Sequence, residues 1–287
     1  MTRTNQVFLV WVLMFFMLLS ACVSVGAKGV DFAITDSVGT EENLAVTVSA
    51  GDGHTMILKT DGTLWGCGAN YWGPLGDGTS RQRDTPVKIM EGVRSVSAGG
   101  AHTVILKTDG TLWACGNNYY GQLGLSSKTQ RIFTPVKIME GVRSVDAGYD
   151  HTMILKTDGT LWACGSNRDG QLGDGISVYR DTPVKIMEGV RSVDAGYDHT
   201  TILKTDDTLW ACGSNKYGQL GLSSETQRIF TPVKIMEGVR AVSAGVGFTM
   251  ILKTDGTLWG CGRNSVGQLG NGTLEDTPTP MQVMEDV

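Results

Sequence analysis

LWACG occurs at 112–116, 161–165 and 209–213, and its near-copy LWGCG at 64–68 and 258–262. The five tryptophans (Trp65, Trp113, Trp162, Trp210, Trp259) stand 48 or 49 residues apart. Self-similarity at so regular a period marks a repeat architecture. Upstream of each pentapeptide come Ser/Asp-Ala-Gly, two variable residues, His-Thr, an apolar run and Lys-Thr-Asp-Gly-Thr. Downstream come a Gly/Asn loop and, after the first four, Thr-Pro-Val-Lys-Ile-Met-Glu-Gly-Val. Five units follow, at about 44–96, 97–145, 146–193, 194–242 and 243–287. Units one and three share RDTPVKIM, and units two and four share QRIFTPVKIM, as duplication of a two-unit block would leave them.

Within a unit the apolar residues alternate with period two, as in VRSVDA at 142–147 and, in part, HTMILK at 151–156. Asp158-Gly159 reads as a two-residue hairpin turn. Residues 160–165 form the next strand and 182–187 the last, so each unit holds four short strands. Four-stranded antiparallel sheets repeated radially are the blades of a β-propeller. The expected class is all-β with five such blades. Gly at 39 of 287 positions, against about 7% usually, supports a turn-rich chain over a helical repeat. An apolar fraction of 41% is ample for a core, and a net charge of −5 argues against broad nucleic-acid binding, which draws on clustered Lys and Arg.

The pattern AGxxHTxxLKTDGTLWxCGxNxxGQLG, read at 98–124, 147–173 and 195–221, resembles the regulator of chromosome condensation repeat family across all five units. The resemblance implies a β-propeller, usually of seven blades. This chain departs from it in having five units, and Cys where the family often has a second Trp. A closed five-bladed ring, an open arc and an incomplete seven-bladed propeller all remain open. A closed ring is expected as a compact monomer, an open arc as a larger or dimeric species. The family also implies guanine-nucleotide exchange with chromatin contact. Against that stand a nearly constant repeat length, which leaves no room for a wedge-like insertion, and the N-terminus.

Residues 7–19 (VFLVWVLMFFMLL) are unbroken apolar sequence, too short for the roughly 20 residues of a membrane-spanning helix and suited to a signal peptide. Leu19-Ser20-Ala21-Cys22 resembles the bacterial lipobox. Residues 1–21 are thus expected as a signal peptide, Cys22 as the lipid-attachment site holding the protein at the cell envelope, and 22–43 as a tether. Cleavage after Val25-Gly26-Ala27 would instead release a soluble secreted protein.

The Trp series is expected to fill the space between adjacent sheets. Cys67, Cys115, Cys164, Cys212 and Cys261 read as buried free thiols, since five is odd and a ring would hold equivalent positions too far apart for the disulfide limit. His54, His102, His151 and His199 share one position with Phe248, so they read as flat packing groups with one hydrogen bond. The recurring Asp61, Asp109, Asp158, Asp206 and Asp255 are turn formers. Asp207 replaces the turn Gly in unit four and is expected to cost about 1 kcal/mol. No metal site, cofactor or catalytic constellation is expected.

In a four-stranded meander the first and third connections emerge on one face, and these hold nearly all the variation between units. Candidate binding residues there are Tyr71, Trp72, Arg81, Arg83, Tyr119, Tyr120, Arg131, Tyr149, Arg168, Tyr179, Tyr197, Tyr217 and Arg228, of the types enriched at binding hot spots. The expected function is a non-enzymatic module binding a protein or glycan at the envelope through this face. The alternatives are an envelope glycan-active enzyme and an exchange-factor-like regulator.

Overall fold

The structure is a computed structural model that describes residues 45–126, 129–222 and 227–287. The expected signal peptide, Cys22 and the tether lie outside the described residues. Among the described residues, twenty strands form five four-stranded antiparallel sheets, each a simple meander in chain order. The first sheet runs Ala45–Ala50, His54–Lys59, Leu64–Gly68 and Arg83–Met90, and the next four open at Val93, Val142, Val190 and Val239.

Unit three shows why the sequence folds this way. Ile154 pairs with Val145 on one side and Trp162 on the other, β-branched and aromatic neighbours that suit a pleated surface. The hairpin differs from the two-residue reading of Asp158-Gly159. Lys156 N donates to Thr160 O at 2.9 Å and Gly159 N to Lys156 O at 3.1 Å, closing a three-residue connection. Gly159 takes the left-handed conformation (φ 80°) that such a loop needs. Asp158 Oδ1 accepts from both the amide (2.9 Å) and hydroxyl (2.6 Å) of Thr160. The outer strands also begin earlier than expected: Arg83, Arg131, Arg180 and Arg228 are their first residues, not loop residues.

Successive sheets pack face to face through four apolar clusters. Val104, Leu106, Leu112 and Leu123 of unit two, for example, meet Val142 and Ile154 of unit three. Each such fully buried side chain contributes roughly 1.5–3 kcal/mol. A polar link repeats beside each cluster. The ring Nε2 of His54, His102, His151 and His199 lies 2.8, 3.0, 3.1 and 3.0 Å from the hydroxyl of Thr103, Thr152, Thr200 and Thr249 in the following unit. Each hydroxyl donates at 2.7 Å to a carbonyl of the preceding unit's long loop, on Pro74, Gln122, Gln171 or Gln219. The hydroxyl proton is thereby committed, so Nε2 carries the imidazole proton and donates it. The free thiols of Cys115, Cys164, Cys212 and Cys261 point at the same carbonyls.

The first and last sheets differ from the others. Val48 is 43% exposed where Val96 is 7% exposed, and Ile57 is half-buried where Ile105, Ile154, Ile202 and Ile251 are fully buried. In unit five Met250, Leu252 and Leu258 are half-buried, against full burial of Met56, Leu58 and Leu64 in unit one. Among the described residues, the burial pattern is that of an arc with two uncovered end faces. In unit five the histidine position holds Phe248, which makes no such link.

The tryptophans are half-buried, and Trp113, Trp162, Trp210 and Trp259 pack against the clusters between adjacent sheets. Each indole N–H donates to the threonine two residues earlier, 3.0 Å for Trp65 and 2.9 Å for Trp113, and a lysine lies over the ring, as Lys59 does over Trp65 at 4.6 Å. An indole so placed covers the edge of the core while its lysine shields it from water.

Candidate functional site

First and third connections do meet on one face. Asn117 N donates to Ala101 O and Ser166 N to Asp150 O, both at 2.8 Å, while on the opposite face Val93 N donates to Gly62 O at 3.0 Å. At the axis the first connections of all five units line one shallow funnel. Their glycines permit the approach: a Cβ on Gly51 would sit 2.4 Å from both Gly99 O and the His54 ring.

Over this funnel Tyr149 and Tyr197 stack, with centroids 4.2 Å apart and planes at 25°. Tyr149 and Asp150 form a wall shared by two grooves. One is lined by Asp52, Tyr71, Trp72 and Asn117; the other, between units three and four, by Tyr120, Arg168, Asp169, Tyr179, Tyr197 and Asp198. Burial pushes the Asp150 carboxyl up to about 6, although Gln122 Nε2 donates to it at 3.0 Å. Asp198 is likewise raised, by burial first and then by the nearby Asp169 charge. Burial, with Tyr197 and the carboxylates of Asp52 and Asp150 nearby, pushes the Tyr149 hydroxyl up to about 12.

The remaining candidates divide. Arg131 lies over both Tyr71 (4.3 Å) and Trp72 (4.4 Å) and donates to the Tyr71 hydroxyl at 3.0 Å, a preformed platform beside the first groove. Tyr119 packs edge-on against Tyr120 and, like the exposed Arg81, lines neither groove. Tyr217 sits under Lys216 and Arg263. Arg83 is engaged by Asp77 at 2.6 Å, whose carboxylate is only 6% exposed and also accepts from Asn70 and Thr79, so it clasps its own loop. Arg228 reaches back one unit to Asp169 at 2.7 Å. Asp52, Asp150 and Asp198 are not legible as site residues in the sequence, where they count only as charge. The legible signal was the Tyr-Asp dipeptide before His151 and His199, present in two adjacent units only. Among the described residues no three His, Cys, Asp or Glu side chains converge as a metal would require, and no helix is long and apolar enough to cross a membrane.

A family model described as the RCC1-like domain matches residues 26–287. Among solved structures, yeast RCC1 (Prp20) bound to Kap60 is 20% identical, with a TM-score of 0.76 over 85% of this chain and 62% of that one. Prp20p of Saccharomyces cerevisiae is 23% identical, with a TM-score of 0.72 over 84% and 63%. Human WBSCR16 is 23% identical, with a TM-score of 0.74 over 83% and 66%. The chain thus spans somewhat less than two thirds of the length of each. No protein of curated function matches it.

Proposed function

The chain belongs to the RCC1-like domain family, and on that footing we propose that it is a non-enzymatic module that binds a protein partner through the face holding both grooves. The observation that carries this reading is the convergence of the units' variable residues into two aromatic-walled grooves sharing Tyr149. Protein binding also fits the relatives, since Prp20 is described as bound to Kap60 and as binding Gsp1p and histones. In the same proposal the chain is exported and held at the envelope by lipid on Cys22, so its partner is an envelope component.

Pull-down from an envelope fraction tests the binding face. Wild type should capture a protein that Tyr149→Ala/Tyr197→Ala does not, and equal capture by both would remove this face from the reading. Cys22→Ala should lose membrane association, and unchanged fractionation would remove the lipid anchor. A second reading, a glycan-active enzyme, draws on one observation: Asp150, with its raised pKa, shares a groove with Asp52, and glycoside hydrolysis uses two carboxyl groups across a cleft. Turnover of a glycan that Asp150→Asn abolishes would establish it in place of the first.

A further inference from the structure

We propose that the Tyr149–Tyr197 stack and the flanking Asp150 and Asp198 carboxylates form a receptor for a basic side chain, a lysine ammonium or arginine guanidinium, presented by the partner protein. The proposal rests on the protein-binding reading above and names the chemistry that face recognises.

The molecule's own loops supply the argument. At two neighbouring aromatic positions on this face the chain provides its own cation: Arg131 lies over Tyr71 and Trp72, and Lys216 and Arg263 over Tyr217. Cations over aromatic faces are favoured by the ring quadrupole. The Tyr149–Tyr197 pair receives none among the described residues, yet it sits at the axis with Tyr197 43% exposed.

The acids follow the same division. Asp77, Asp174 and Asp169 each have an arginine, from Arg83, Arg180 and Arg228. Asp150 and Asp198 form no ion pair among the described residues, although both are half-buried. Buried carboxylates are costly unless a cation joins them, and the raised pKa of each reflects that cost. The cation still in this groove is Arg168, exposed at its rim. Asp169 is paired with Arg228, so Asp150 and Asp198 are the groove carboxylates left without an ion pair, beside an uncapped aromatic pair. An incoming ammonium or guanidinium would add charge-assisted hydrogen bonds to those that Asp150 accepts from Gln122 and Asp198 from Ser214 and Gln219.

Calorimetric titration of the full chain with octa-arginine, octa-lysine and octa-glutamate tests this. Both basic peptides should bind and octa-glutamate should not. Asp150→Asn/Asp198→Asn should weaken basic-peptide binding at least about tenfold, and Tyr197→Leu by several-fold. Glu91→Gln/Glu140→Gln changes the net charge equally at exposed sites on the opposite face and should leave affinity within about twofold. Equal losses in the two double variants would reduce the effect to overall charge and overturn the proposal, as would failure of wild type to bind basic peptide at millimolar concentration. An envelope partner captured equally by wild type and Asp150→Asn/Asp198→Asn would preserve the protein-binding reading while overturning this one. Peptide binding that depends on both carboxylates, with no partner captured, would do the reverse.

Discussion

His54 Nε2 lies 2.8 Å from Thr103 Oγ1, and that hydroxyl donates to the Pro74 carbonyl at 2.7 Å. Three groups from two units thus close one hydrogen-bonded link across a sheet boundary, all of it buried. Thr103→Val should cost about 1–3 kcal/mol, because it strands a buried donor and a buried acceptor together. Thr55→Val should cost much less, since Thr55 is half-buried and its hydroxyl closes no such link among the described residues. Urea denaturation of the two variants checks the contrast, and equal losses would count against the link as a stabilising element.

The same histidines set an acid limit. Burial pulls His54 down to about 4 and His102 to about 3, below the 6.5 of the unfolded chain. Between those values the unfolded state binds protons that the native state does not, so stability falls as pH drops from about 6.5 toward 4. The slope is up to about 1.4 kcal/mol per pH unit per histidine. Thermal melts across that window should show the decline, and His102→Phe, which copies the residue of unit five, should flatten part of it.

Asp150 has the opposite sign. Its folded pKa of about 6 exceeds the unfolded value, so the stability it contributes is present at low pH and lost as pH rises through 6. Asp150→Asn should therefore stabilise the protein at pH 7 by about 1–3 kcal/mol and have little effect below pH 4. Paired melts at the two pH values read this directly. A stabilising loss of charge is the pattern expected of a residue kept for recognition.

Asp207 holds a left-handed backbone (φ 61°) where the other four units have glycine, and its carboxylate accepts from Arg191. Arg191 also donates to the carbonyls of Val239 and Arg240 at 3.0 Å each. Asp207→Gly should relieve about 1 kcal/mol of strain and lose a half-exposed ion pair worth about 0–1 kcal/mol, a net change within about 1 kcal/mol. Asp207→Ala keeps the strain and loses the pair, so its melting temperature should fall below both.

Thiol labelling should separate the cysteine series. Burial pushes Cys115, Cys164, Cys212 and Cys261 up to about 12, whereas Cys67 is half-buried on the uncovered first face. Mapping of alkylated peptides from the native protein should find Cys67 modified well before those four. Uniform labelling would mean that the first sheet is covered.

Most of the architecture was legible because each rule is local and stated five times over. Alternation gave the strands, Asp-Gly the turns, and the meander the placement of His102 and Asp109 on opposite faces. The hairpin length was misjudged because the left-handed bulge at Gly159 depends on hydrogen-bond register, which composition does not carry. The grooves were only half legible. Tyr149 and Tyr197 drew notice as aromatic residues, but their stacking depends on how adjacent sheets fan. Asp150 passed as ordinary charge because its significance comes from burial. Arg83 looked available and is occupied by Asp77, a partner six residues away that only the loop's path brings near.

The boundary between units repeats one hydrogen-bonded link four times among the described residues. Splicing another in-register copy into the middle would create no novel junction, only one more instance of an existing one. Gene duplication can therefore extend this scaffold without redesigning it, and a newly inserted pair of connections would be free to diversify while its neighbours keep their grip.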